Sequence, residues 1–317
     1  MDFDLTEDQK ALVDAIQSIV QDHVDAPRDG NVAGAVHHHY SAELDASLDS
    51  GGFFEVAREE SLGPLAAVLL VEEVYRAASV IEVGTSAVVV PQLTSARLPR
   101  PVALLRHTEL DRPVRFLGIA QSALLDLGEE AAMIELVPED VEPVESLYAY
   151  PFGRFVKPPK LLAAQRMGPG SGVKLRSWWR VALAAEIGAA MLQAITITTE
   201  YAKQRRQFGR EIGSYQGVKH RLATDIQMAE SVQWLARRAA WTGDPLDAAS
   251  AALYAQQSIE PVCYDCHQFH GAIGLTLEYP LHFWTQRLRA MQGELGGWTE
   301  QAAGIARMRW NSGVCDR

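Results

Sequence analysis

Apolar residues recur at helical spacing in the opening segment, where Leu12, Val13, Ile16, Ile19 and Val20 share one face. Thr6 followed by Gln9 is a capping-box pattern and sets the helix start there. A polar stretch with Gly30, Gly34 and the consecutive His37, His38 and His39 follows and reads as loop. The pattern predicts a second helix from Leu62 to Arg76, and a buried apolar helix over Val80–Val90. Near Pro91 the texture changes to prolines and strand-sized apolar runs, such as 114–117 and 133–137. Met167–Gly172 is glycine-rich and reads as a linker or tight turn, with no strand and helix to frame a phosphate loop. From Leu175 onward the period is helical again. Leu183, Ile187, Met191 and Ile195 form one stripe; Val218, Leu222, Ile226, Ala229, Val232 and Leu235 form another. Ala248–His270 is a third helix, disturbed by Pro261 and stopped by the Gly271–Gly274 turn.

These periods divide the chain into an N-terminal helical domain (1–92), a small β domain (93–166) and a C-terminal helical bundle (167–317). The fold class is mainly α with a small β domain. The 317 residues suffice for a full core. A net charge of −11 repels phosphate backbones and disfavours nucleic acid as a partner. The acidic start and the interruption of Leu65–Val71 by Glu72 and Glu73 point away from secretion and membrane insertion. Three cysteines make no disulfide framework, so a cytoplasmic setting is expected.

Cys263–Tyr264–Asp265–Cys266–His267 matches the spacing for covalent haem, and His270 adds a fourth potential metal ligand. One helix face cannot close a tetrahedral metal site, so two half-buried structural thiols are the preferred reading. No nucleophile elbow, Walker loop or H-E-x-x-H motif occurs. Tyr201–Gly209 places Lys203, Arg205 and Arg206 beside a glycine turn. Those cations can hold a pyrophosphate, but on the residues alone the preferred reading is that they complement a helix C-terminus.

The sequence resembles the acyl-CoA dehydrogenases, a flavoprotein family. Arg205–Gly209 with Ser214, Gln216 and His220 is similar to its R-x-x-F-G signature; Gln268–Gly274 with Glu278–Pro280 is similar to its second. The resemblance implies a helical domain, a β domain and a four-helix bundle. It assigns FAD contacts in the neighbouring subunit to Arg205, Gln207, Phe208 and Gln268, with Gly271 and Ala272 at the close-approach turn. Arg180, 25 residues before Arg205, matches an arginine near the CoA end of the substrate site.

The departures concern the catalytic base. The two positions where the family keeps its glutamate hold Leu295 and Trp179 here, with Glu294 one residue early. The middle domain is truncated and lacks the strand that bonds the flavin ring. The chain therefore resembles the short subunit of the α2β2 acyl-CoA dehydrogenases of bacterial steroid side-chain degradation. In that reading it completes the FAD site of a longer partner subunit, electron-transfer flavoprotein being a further possible partner, and a bulky steroid acyl-CoA is the expected substrate. The alternatives are a self-sufficient homo-oligomer using Glu294 as base, and a flavin-free scaffold on the same fold.

Overall fold

The computed structural model describes residues 4–23, 40–157, 159 and 164–310. His37–His39 and Cys315 lie outside the described residues. The capping box is present: the Thr6 N–H donates to Gln9 Oε1 (3.1 Å) and the Gln9 N–H to Thr6 Oγ1 (3.2 Å). It opens α1 (Glu7–His23), which buries Ile16. After α2 (Ala42–Ser50) comes α3 (Gly63–Arg76), nearly all of it buried from Ala66 to Tyr75. The expected helix over Val80–Val90 is shorter and irregular: Gly84–Val89 is a wide, π-type turn that runs into α4 (Val90–Leu93).

The β region holds two small sheets. In the first, β1 (Val102–Arg106) pairs parallel with β3 (Ser122–Asp126); β4 (Glu130–Glu135) and β7 (Gln165–Pro169) follow antiparallel. In the second, β6 (Phe152–Phe155) lies between β2 (Val114–Arg115) and β5 (Val141–Val144). The glycine-rich segment expected as a linker is therefore framed by a strand and a helix, because β7 runs to Pro169 and α5 (Ser171–Gln204) starts two residues on. A protein carboxylate already sits there: the Gly170 N–H donates to Glu129 Oε1 (3.2 Å).

Helix α5 is the axis of the molecule. It packs against α3, against α6 (Gln216–Thr242) and α7 (Pro245–His270), and against α8 (Leu281–Met291). It is buried on several faces, so its apolar residues are not confined to one stripe. By length and composition it could cross a membrane, contrary to the expectation that no segment would. Yet 78% of its most apolar window is buried inside this fold, as in the core helix of a bundle. Pro261 does not break α7. Both Pro261 and Gln257, whose carbonyl loses its intrahelical donor, are exposed, so water can take that carbonyl. The last helix, α9 (Gly297–Trp310), packs on α7.

Two cations, one buried and one half-buried, tie the helices together. Arg287, 1% exposed, donates to the Ala77 carbonyl (3.0 Å) and to that of Ala78, joining α8 to the end of α3. Arg237 on α6 grips the wholly buried Glu72 on α3, with Nη2–Oε2 at 2.5 Å. Removing one member of such a pair strands the other charge in a dry interior. Arg237→Met is thus expected to cost roughly 3–5 kcal/mol in urea unfolding, and Glu72→Leu/Arg237→Met to recover most of it.

Candidate functional site

Two places on the molecule concentrate the chemistry, one recessed and one exposed. The recessed place is a half-open cavity of about 190 Å³ between the β region and the bundle. Val102, Leu104, Phe116, Phe152, Trp179 and Leu295 supply its apolar wall. Arg115 on β2 reaches its floor and forks between two carboxylates. Its Nε lies 2.8 Å from Glu294 Oε1, and its Nη2 lies 2.7 Å from Glu186 Oε2. Its Nη1 donates to the Tyr75 hydroxyl (3.1 Å), and its guanidinium faces the Tyr150 ring at 4.9 Å.

Glu186 comes from the middle of α5 and is 3% exposed. The chain passes close to it at Gly84, where any β-carbon would lie 2.2 Å from Glu186 Oε1. Arg115 is near Oε2 but makes no aligned hydrogen bond to it. Burial pushes the Glu186 carboxyl up to about 7 despite Arg115, and Glu294 adds to the rise.

Glu294 is committed elsewhere. Besides Arg115, it accepts the Trp179 indole N–H at 3.2 Å. Its carbonyl accepts Gln256 Nε2 (2.8 Å), and the Leu295 carbonyl accepts Gln301 Nε2 (3.1 Å). These bonds hold Leu295 in a left-handed conformation, φ 54°, with its side chain buried. Trp179 is buried beside it. Both positions that the resemblance gives to the base thus carry packed apolar side chains. Arg180 turns onto α9, its Nε donating to Gln301 Oε1 (2.7 Å); burial and the nearby Arg176 and Arg106 lower it to about 10.

The exposed place is at the other end of α5. Arg205 caps the helix, and a minimal hairpin follows: β8 (Arg206–Gln207) pairs with β9 (Arg210–Glu211). Its two-residue turn is Phe208–Gly209, φ 52° and 87°. Phe208 is 92% exposed. Arg205 makes no ion pair among the described residues, while Arg206 pairs with Glu211 (3.0 Å). Tyr201, one turn before Arg205, stacks on His270 at 4.4 Å. That contact brings the second motif to the same end of the bundle: Gln268, Gly271 and Ala272 lie beside it, and Gly271 and Ala272 are exposed. Gly271 has φ 64° and open space where a β-carbon would be, which suits close approach of a ligand to backbone.

The cysteine motif lies inside α7. Cys263 and Cys266 are fully rather than half buried, and burial raises both thiols to about 12. Asp265 is ion-paired with Arg221, and no group of metal-ligand side chains occurs among the described residues. Arg115, Glu186 and Tyr75 were not singled out from sequence. The available signals were an arginine inside a strand-sized apolar run and a glutamate interrupting an apolar helix.

Residues 176–309 match the family model for the acyl-CoA dehydrogenase C-terminal domain. Over these residues the bundle is similar to the acyl-CoA dehydrogenases. Over 107 residues the chain is 36% identical to the acyl-CoA dehydrogenase IpdE2 of Mycobacterium tuberculosis, covering 34% of each protein. Over 134 residues it is 34% identical to the acyl-CoA dehydrogenase FadE34 of the same organism, covering 40% of this chain and 19% of that one. The aligned stretch therefore spans only about a third of the IpdE2 relative. Likeness of fold extends further. A chain of the ChsE4–ChsE5 complex from Mycobacterium tuberculosis superposes with a TM-score of 0.74 at 21% identity, covering 97% of this chain and 98% of that one. A chain of the Tcur3481–Tcur3483 steroid ACAD G363A variant gives 0.75 at 22% identity, covering 95% and 97%. The whole chain thus has the acyl-CoA dehydrogenase fold.

The titration of Glu186 gives a test. Its folded value lies above the ordinary carboxylate value of 4.5, so the folded protein holds a proton that the unfolded chain releases. Its contribution is fully present below about pH 4.5 and is lost as the pH rises through about 7. Thermal melts between pH 5 and 8 should show the midpoint falling with pH, and Glu186→Gln should flatten that fall.

Proposed function

We infer that this chain is the cofactor-completing, non-catalytic subunit of a heteromeric FAD-dependent acyl-CoA dehydrogenase. The observation that carries this reading is the state of Glu294. This carboxylate, next to a base position, is held by Arg115 and by the Trp179 indole, with Leu295 packed beside it. A general base needs a free oxygen within reach of the substrate proton. The cavity supports the same reading: at about 190 Å³ it falls below the roughly 300–1,000 Å³ of ordinary ligand pockets.

The exposed end fits the opposite role. Arg205, without an ion pair among the described residues, the bare Phe208 ring, the neighbouring Gln268 and the open backbone at Gly271 suit a diphosphate-bearing aromatic cofactor held mainly by another subunit. In such an enzyme bound FAD accepts the β-hydride of an acyl-CoA. Here Arg205 neutralises diphosphate charge, Gln268 hydrogen-bonds beyond it, and Phe208 covers an apolar face of the cofactor. The partner is a longer acyl-CoA dehydrogenase subunit in an α2β2 assembly, which supplies the base and passes electrons to an electron-transfer flavoprotein. A steroid side-chain CoA thioester is the proposed substrate, supported by the steroid enzyme among the structures of like fold.

Substitutions in the assembled complex separate the readings. Arg205→Ala is expected to weaken FAD retention roughly tenfold or more, the size of a lost charge-assisted contact. Glu294→Gln should leave turnover within about twofold, whereas removal of a true general base typically costs on the order of 10²-fold or more. A collapse of turnover in Glu294→Gln would assign the base to this chain.

A further inference from the structure

The Phe208–Gly209 turn combines a strained backbone with an exposed ring. A two-residue hairpin with positive φ at both positions prefers Asn-Gly, since a β-carbon crowds the left-handed region. The first position here holds a phenylalanine, whose ring is 92% exposed. Burial of that ring in the core therefore does not compensate for the conformation. Support comes instead from Tyr215, in the loop that leads into α6. The Tyr215 hydroxyl lies 3.2 Å from the Gln207 carbonyl and 3.2 Å from the Phe208 carbonyl, and shares its single proton between them. The Tyr215 ring meets the Phe208 ring edge to face, centroids 6.5 Å apart at 87°. The Arg210 guanidinium covers the Tyr215 ring at 4.0 Å from its centroid. Both carbonyls at the tip and the ring beside it are thus fixed before any partner arrives.

We propose that Tyr215 is a positioning residue: it holds the hairpin in the strained form that presents Phe208 to the cofactor of the partner subunit. This rests on the reading that the hairpin completes that cofactor site. Energy spent on ordering the tip in the free chain is not spent again on binding, so preorganisation appears as tighter flavin retention. Tyr215 touches the hairpin and acts through Phe208. Its hydroxyl, not its ring, is the part that distinguishes it from a mere packing residue, because a phenylalanine would fill the same space.

The test is a two-by-two set of variants in the complex with the longer acyl-CoA dehydrogenase subunit: wild type, Tyr215→Phe, Phe208→Ala and the double variant. The readout is the FAD dissociation constant from flavin fluorescence, with thermal melts confirming that each complex is folded. Tyr215→Phe should weaken FAD about fivefold, the size of one ordinary hydrogen bond, with an unchanged melt. Phe208→Ala should weaken it more, and Tyr215→Phe should add nothing once Phe208 is gone. If Phe208→Ala weakens FAD while Tyr215→Phe does not, the positioning role is overturned and the cofactor reading stands. The positioning role is overturned in the same way if Tyr215→Phe costs as much without Phe208 as with it. If Phe208→Ala leaves FAD binding unchanged, the cofactor reading fails and the positioning role falls with it.

Discussion

One buried guanidinium holds the inward half of this protein in place. Arg115 reaches from β2 to Glu186 on the central helix and to Glu294 in the loop before α9, so three segments distant in sequence meet at a single charge. A lone arginine in that position would be very costly, and so would either carboxylate without it. The three are therefore mutually dependent. Their arrangement also accounts for the smallness of the cavity, the burial of Leu295 and the strained backbone beside it. A site built to admit an acyl chain would need that volume open. Here Arg115, Glu186 and Glu294 meet across it.

The opposite end of α5 follows a different logic. Inside, Arg115 meets two carboxylates and the Tyr150 ring is buried; at the hairpin Phe208 is left bare, and Arg205 has no ion pair among the described residues. The small inner cavity and the exposed tip are complementary under the proposed function, in which the chain gives up its own site and supplies a piece of another.

Much of the fold was legible because helical periodicity survives burial. Leu183, Ile187, Met191 and Ile195 are all buried in α5, as their stripe implies. The hairpin motif was legible because its residues are contiguous. The misreadings have local causes. Strand β7 is largely exposed and shows no apolar alternation, so its glycine-containing end read as linker. Pro261 faces water, where the lost helical bond is cheaply replaced. Glu186 and Arg115 escaped notice because their meaning lies in a pairing between distant segments, and the Arg115–Glu294 contact spans 179 residues. No sequence pattern encodes such a distance. The anchoring of Leu295 by Gln256 and Gln301 was hidden for the same reason.

The central claim is that this chain completes a flavin site without owning one. Flavin absorbance combined with light-scattering mass addresses it directly, on the chain alone and on the chain co-expressed with a longer acyl-CoA dehydrogenase subunit. The account predicts a colourless lone chain and one FAD for each pair of unlike subunits. A lone chain that purifies yellow, and bleaches when an acyl-CoA is added, would contradict it.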